Sequence, residues 1–565
     1  MCCPGAATRS ERAHPVDGTL DRPAVHDNIL LGGWSVVGHA GTPLQPTNSD
    51  LLLAEHPRIM AEQSSFPPSA LPGRRRPGAL LPLLSLAALA VFAPSGIAAG
   101  PEGIAPKEAR LPPLVWVSPF VAMLLCIALL PLLPHTHHWW ESNWAKLTVA
   151  VTLALVTAGF YLFRPFGMLH SDALGHKHVS EPGWPTLGLM LQHALLTDYV
   201  PFVVLLFSLY VISGGVQVRT SAAPTPAVNT AVLALGAALA SFIGTTAGSM
   251  LLIRPLLEIN RPRRHVIHTV VFFIFVASNV GGCLTPLGDP PLFLGYLRGV
   301  PFAWTFTLWP VWLTCNMALL ATYYILDRRA WGREAAVSRA DPTQPRLTLH
   351  GAINLAWLAS VVLAVAVLVG GQRLPGSHWT VPPFLREGVL LGLAALSWLT
   401  TPKGVRAANG FNFTAIGEVA CLFVGIFVCM QVPMEILKER GGELGLSRPW
   451  EFFWATGLVS SFLDNAPTYA VFFETAGVFG VEHGPALHGV QAVDGTIPVA
   501  LLRAVSLGAV LMGANTYIGN GPNFMVRSIA EQSGVKMPGF FAYLGYSAAV
   551  LGPLFVVVTL VFLRG

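Results

Sequence analysis

The chain is poor in charge and in cysteine. Only 11% of its 565 residues are Asp, Glu, Lys or Arg, less than half the share usual in a soluble globular domain, which argues against a water-exposed surface over most of its length. The seven cysteines stand at 2, 3, 126, 283, 315, 421 and 429 with no Cys-x-x-Cys pair, so neither a disulfide scaffold nor a cysteine-ligated zinc site is expected. No stretch alternates polar and apolar residues over about ten positions, as a membrane β-barrel would require. There is no Gly-x-Ser-x-Gly, no His-Glu-x-x-His and no Walker lysine, which removes the common hydrolase and nucleotide-binding signatures. No nucleic-acid signal stands out.

What is present is apolar: 53% of residues are hydrophobic and the mean hydropathy is +0.58. Runs near the roughly 20 residues that cross a hydrocarbon core recur around 80–99, 113–133, 146–163, 198–216, 266–283, 303–326, 349–370, 385–401, 411–436, 498–514 and 539–562. The expected fold is therefore an all-α polytopic membrane protein of about eleven spans, since only helices and closed barrels satisfy every backbone group in lipid. Residues 1–78 lack periodicity and are read as a disordered N-terminal extension. Residues 79–100 are read as a signal-like segment or first transmembrane helix.

Two apolar stretches are interrupted by "TTAGS" (245–249) and "DNAPT" (464–468), which fall on each other at an offset of 219. Further on, "GCLTPLGDPPLF" (282–293) falls on "GANTYIGNGPNF" (513–524) at an offset of 231, with five identities in twelve positions. Arg74, Arg75 and Arg76, Arg261, Arg263 and Arg264, Arg328, Arg329, Arg333 and Arg339, and Lys403 and Arg406 fall on one side if the chain starts in the cytoplasm, whereas 477–497 has no Lys or Arg. By the positive-inside rule the two halves then run in opposite senses. We expect two inverted repeats, 110–343 with a hairpin near 228–258 and 344–565 with one near 449–476, each carrying a re-entrant hairpin and a broken helix.

Paired breaks in inverted repeats are the mark of secondary transporters, whose sites lie near the midplane among freed backbone groups and helix ends. Thr245, Thr246, Ser249, Asn279, Thr285 and Asp289 form one expected cluster, and Asp464, Asn465, Thr468, Asn515, Thr516, Asn520 and Asn523 a second. Hydroxyl, amide and carboxylate oxygens suit a small hard cation such as sodium. Asp289 and Asp464 are the most informative, because a carboxylate at mid-membrane depth costs about 2.5–3.5 kcal/mol and normally marks an ion or proton path. Their bland reading is as caps of a hairpin or half-helix. Pro290, Pro291, Pro467 and Pro522 read as helix breakers.

Asp198 and Glu418, at the starts of corresponding helices, are either proton-relay groups or solvated helix ends. Arg254 either holds an anion, pairs with Glu258 or snorkels to the basic face. His135, His137 and His138 either bind a metal, sense pH or sit at the interface beside Trp139 and Trp140.

The motifs "GTTAGSMLLIRPLLEINR", "SNVGGCLTPLGDPPLFLGYLRGVPF", "SSFLDNAPTYAVFFE" and "GANTYIGNGPNFMV", with "LPHTHHWWESNWAK" near the start, resemble the ion transporter superfamily. The likeness is to ArsB/NhaD-like sodium/proton antiporters and a citrate transport family, from about residue 110 to the end. It implies a scaffold plus a two-hairpin transport domain, an elevator motion and a homodimer, in a bacterial-type inner cell membrane. In related dicarboxylate carriers both tips read Ser-Asn-Thr, whereas here they read Gly244-Thr245-Thr246 and Leu463-Asp464-Asn465. An anionic Asp464 at the tip disfavours a citrate-like ligand.

The expected function is a sodium/proton antiporter using no cofactor beyond sodium ions and protons. The alternative is a sodium- or proton-coupled citrate or dicarboxylate transporter, and the remote one an intramembrane hydrolase with two aspartates. The expected partners are the lipid bilayer and a small cation or organic anion.

Overall fold

Prolines, glycines and polar caps punctuate this chain into helices, and a computed structural model shows where. It describes residues 111–131, 133–171, 177–334, 347–374, 376–482, 489–492 and 495–564. The expected extension (1–78) and first apolar segment (79–100) lie outside the described residues.

The longer helices, in chain order, are α1 (Ser118–Leu129), α2 (Asn143–Phe163), α3 (Trp184–Ser213), α4 (Pro226–Ile243), α5 (Thr245–Ile259) and α6 (Ile267–Val276). They are followed by α7 (Pro290–Leu297), α8 (Trp309–Trp331), α9 (Ile353–Val367), α10 (Leu385–Thr400), α11 (Thr414–Cys429) and α12 (Gln431–Arg440). The last are α13 (Pro449–Phe462), α14 (Asn465–Glu482), α15 (Val499–Met512), α16 (Gly521–Gln532) and α17 (Phe540–Phe562).

Among the described residues α2, α3, α4 and α17 are long and apolar enough to cross a membrane, and the pair Thr414–Cys429 and Gln431–Leu444, bent by 42°, makes a fifth if counted as one span. Shorter apolar helices lie at Leu114–Leu129, Ile267–Cys283, Ile353–Val367 and Val499–Asn515. The chain is thus a helical, membrane-integral protein. α3 contains a π-helical stretch, Gln192–Tyr199, ending beside buried Asp198.

Among the described residues the strands form three short antiparallel pairs. In one of them Gln217–Thr220, after α3, aligns with Leu347–His350, before α9, with Gln217 opposite His350 and Thr220 opposite Leu347. That ladder clasps the early part of the chain to the late part.

Two helix pairs fold back on themselves. α4 opens with Thr225 Oγ1 accepting from the Val228 N–H at 3.3 Å and Pro226 at its first position, where a missing N–H costs nothing. It stops at Gly244, whose φ of +89° lies in the left-handed region that a side chain disfavours, and α5 begins at the next residue. In the late half α13 gives way to α14 through extended Leu463 (φ −116°, ψ 160°) and Asp464.

Each hairpin also packs on the opposite half: α16 lies along α5, and α7 along α14. At the base of the first hairpin, buried Asp327 accepts from Arg263 Nη2 (2.5 Å) and Asn229 Nδ2 (3.2 Å) and bonds His268 Nε2 (2.7 Å), tying α4 and α6 to α8. A second packing group joins α2 to α11, α10 to α3 and α9 to α10.

Candidate ion-binding site

Asp289 stands at the N-terminal edge of α7, where a carboxylate normally caps the N–H of the second or third helical residue. Here those roles are closed. Pro290 and Pro291 fill the first two positions and bring no N–H, and the Leu292 N–H goes to the Asp289 backbone oxygen at 3.1 Å. The side chain makes no capping bond and turns inward instead, where it is 1% exposed.

Three neutral donors meet that carboxylate. Thr245 Oγ1 donates to Oδ1 at 2.8 Å from the tip of the first hairpin, and Asn465 Nδ2 to Oδ2 at 2.6 Å from the tip of the second. Asn520 Nδ2 donates to Oδ1 at 3.0 Å from the break before α16. Among the described residues no Arg, Lys or His pairs with Asp289. The Thr245 N–H also donates to the Gly288 carbonyl at 2.8 Å, sewing the tip to the broken segment.

The network continues through amides. Asn520 Nδ2 also reaches Ser278 O (3.1 Å) and Asn279 Oδ1 (3.3 Å), and Asn279 Nδ2 donates to Asn523 Oδ1 at 2.7 Å. Asn523 Nδ2 holds the carbonyls of Gly513 (2.8 Å) and Thr516 (2.9 Å). All these asparagines are buried. One atom is left over: Asn465 Oδ1 is buried and has no hydrogen-bond partner, an acceptor beside a carboxylate that has no basic counter-charge.

Thr245, Asp289 and Asn279 from the first expected cluster and Asn465, Asn520 and Asn523 from the second therefore converge on a single network. This corrects the picture of two separate clusters. Ser249 borders it, its hydroxyl 2.8 Å from that of Ser278. Thr285 and Thr516 serve the loops instead: Thr285 Oγ1 donates to Ser241 O, and Thr516 Oγ1 to Ser461 O at 2.5 Å. Asn515 Nδ2 donates to Ser461 Oγ at 2.9 Å, and Thr468 Oγ1 to the Asp464 carbonyl at 3.0 Å. Thr246 is half-buried at the tip.

Asp464 takes the bland role expected of either aspartate. Its Oδ1 accepts the Ala466 N–H at 3.1 Å, capping α14, and the next residue, Asn465, is the one that reaches Asp289. The register of the halves shifts accordingly. Ser461 Oγ donates to Met512 O at 3.2 Å as Ser241 Oγ does to Gly281 O, and Asn465 matches Thr245. The hairpins thus correspond at an offset of 220 rather than 219, while the loops keep 231.

Ser241, Ser278 and Ser461 are the site residues that the sequence reading missed. At 220 "SFIGT" (241–245) falls on "SFLDN" (461–465), and the shared Ser-Phe is the signal that would have found two of them.

The outlying residues are accounted for elsewhere. Asp198 lies 3.5 Å from Arg298 Nη2, whose Nε is 3.4 Å from Glu474 of α14. Glu418 pairs with buried Lys146 at 2.8 Å. Neither acid touches the Asp289 network. Arg254 donates to the Asn409 carbonyl, and no hydrogen bond or ion pair joins it to Glu258. His135, His137 and His138 are exposed.

Broken apolar helices gathered around one buried, polar, carboxylate-centred network define a membrane transporter. The chain belongs to the family described as "Putative citrate transport", whose model matches residues 108–563. It is 23% identical over 312 residues to an uncharacterized transporter of Synechocystis sp., a match covering 52% of this chain and 66% of that relative, just under two thirds of its length. It is also similar to the crystal structure of the Alcanivorax borkumensis YdaH transporter, with a TM-score of 0.37 and 12% identity, over 75% of this chain and 98% of that one. The chain is a transporter and not an enzyme, which overturns the intramembrane hydrolase reading.

Proposed function

We propose that this transporter exchanges sodium for protons at Asp289. The observation that carries the reading is a buried carboxylate held only by neutral donors from both hairpin tips and one break, with an unpartnered amide oxygen, Asn465 Oδ1, beside it. A buried charge without a partner is costly and is relieved by a proton or a cation. The Asn465 amide suits both states: Nδ2 serves the ionised carboxylate, and Oδ1, after rotation, accepts from the protonated one. Hydroxyl and amide oxygens with a carboxylate are ligands for a hard monovalent ion.

Matched contacts at offsets of 220 and 231 support two inverted repeats. With α4–α5 and α13–α14 as re-entrant hairpins, α2, α3, α8, α10 and α17, the four shorter apolar helices, the bent pair and the expected segment at 80–99 would make eleven spans. In an elevator-type cycle the hairpins, α7 and α16 move as one block against a frame of α2, α3 and α9–α11, in a homodimer within the cell membrane.

Sodium- or proton-coupled citrate transport is the second reading, favoured by the family description. An uncompensated carboxylate at the site weighs against an anionic cargo. Proteoliposomes with an imposed proton gradient separate the two: the first reading expects sodium flux without citrate, and flux that appears only when citrate is added refutes it.

A further inference from the structure

We propose that His137, His138 and Glu141 form a surface site for a borderline divalent cation of the zinc class, separate from the Asp289 network and independent of what that network carries. The three side chains leave a short helical turn that is anchored from below. Trp140 is buried at 4% exposure, its N–H donates to Thr136 O at 2.8 Å, and Thr136 Oγ1 donates to Leu130 O at 2.7 Å. The Glu141 N–H closes the turn on His137 O at 3.1 Å. The backbone is thereby fixed while the three ligand-bearing side chains face outward.

Their spacing is that of ligands around an ion rather than of groups bonded to each other. Glu141 Oε1 lies 3.4 Å from His137 Nδ1, and Oε2 3.8 Å from His138 Nδ1. Hydrogen bonds between such atoms close to about 2.7–3.2 Å, so both gaps are too wide. Ligands bound tetrahedrally at about 2.0–2.2 Å stand about 3.3–3.6 Å apart; the His137 gap falls in that range and the His138 gap is slightly wider. All three ligand atoms lie within 4.8 Å of one another. The two rings meet edge to face, 5.4 Å between centroids, which keeps one ring from covering the other's nitrogen.

The ligand set fixes the class. Two imidazoles and one carboxylate suit zinc, cobalt or nickel, whereas calcium and magnesium call for oxygen throughout. Three protein ligands leave a fourth position open to solvent, as in zinc sites that exchange their ion or take a further ligand.

The test uses the full-length protein, freed of any histidine tag, in detergent, with zinc competed against a chromophoric chelator. Wild type is expected to hold one zinc ion per chain more than the H137A/H138A variant, and E141Q to weaken that ion's affinity at least about tenfold, the least that even outer groups of a zinc site cost. Equal stoichiometry and affinity in wild type and the double variant overturn the proposal. His138 is 89% exposed in its side chain and His137 46%, so the double variant should melt as wild type does. Should it not, cobalt(II) provides the second reading: visible d–d bands in wild type, lost in E141Q. Persistence of the bands in E141Q, or displacement of zinc by millimolar calcium, overturns the site or its class.

Discussion

Asp289→Asn separates the chemistry of the site from its architecture. In the native protein Oδ1 receives Thr245 Oγ1 and Asn520 Nδ2, and Oδ2 receives Asn465 Nδ2. The substituted amide can keep its oxygen in the Oδ1 place, which preserves two of the three bonds. Its NH2 then faces the Asn465 NH2, a donor against a donor, but a half-turn of the Asn465 amide presents the oxygen that is unpartnered in the native protein. The third bond is remade with its direction reversed. Bonds to a charged group become neutral ones, each weaker by about 1 kcal/mol, while the cost of burying an unpaired charge disappears. The two terms oppose each other, so unfolding free energy should move by about 1 kcal/mol or less.

Transport should not survive. A unit negative charge about 4 Å from a bound monovalent cation contributes about 4 kcal/mol at an effective dielectric of 20, about three orders of magnitude in affinity. The variant also has no carboxylate to carry the proton. The assay is sodium-driven proton movement in proteoliposomes, read with a pH-sensitive dye beside a thermal melt of the same preparation. Exchange within tenfold of wild type, in protein that melts normally, refutes the assignment of Asp289.

Asp464→Asn keeps the cap on the Ala466 N–H, since Asn and Asp cap equally well; unchanged exchange with an unchanged melt is expected, and a loss of exchange in protein that melts normally would refute a purely structural Asp464. Gly288→Ala places a Cβ 2.1 Å from Gly282 O, backbone against backbone, and should cost about 3 kcal/mol or more, whereas Gly521→Ala meets nothing within 4 Å and should be neutral; comparing monodisperse yield and melting temperature checks both. Outside the membrane spans, burial pushes the Glu334 carboxyl up, but the N–H groups of His265 and Arg264 and the His265 ring outweigh it and hold the carboxyl below its ordinary range. A lowered carboxyl stabilises the fold above the ordinary value of about 4.3 and loses that contribution as pH falls beneath it. The melting temperature should therefore drop below about pH 4.3, and Glu334→Gln should flatten that drop; an identical slope in the variant refutes it.

The helical architecture and most of the site were legible in the sequence because both follow from depth in lipid. Twenty-residue apolar runs, and polar letters that interrupt them, are costly enough to be informative. What escaped the reading was direction. Sequence put Asp289 and Asp464 in equivalent roles because both open a helix after a break, but the decisive difference lies in the residues that follow. Pro290 and Pro291 deny Asp289 any N–H to cap and send it inward, whereas Ala466 offers Asp464 an N–H and keeps it at the tip. The one-residue shift in the hairpin offset has the same origin: placing Asp464 opposite Thr245 puts the Ser-Phe pairs that the backbone uses out of register. Asp198 and Glu418 looked alike on their helices, and only tertiary contact with Arg298 and Lys146 tells them apart.

The recurring contacts also show how the halves diverged without losing their spacing. A Cβ on Gly236 would lie 2.8 Å from Ala277 Cβ; at the matching place Gly508 faces Thr456, and the small residue has changed helix. Gly281 lies against Ala237, while Met512 lies against Gly457, again with the small partner exchanged. Close helix approach in lipid depends on one small residue per contact and not on which helix carries it. The same exchange governs the polar centre. Asp289 corresponds to Asn520 at the loop offset of 231, and Asn520 donates to Asp289 at 3.0 Å. Two aspartates at those places would set like charges against each other in a dry site. Two asparagines would leave no group to take up a proton. One acid and one amide give a network in which a single titratable carboxylate is held by its own counterpart, so the proposed exchange would run through Asp289 alone, with Asn520 as the residue that positions it.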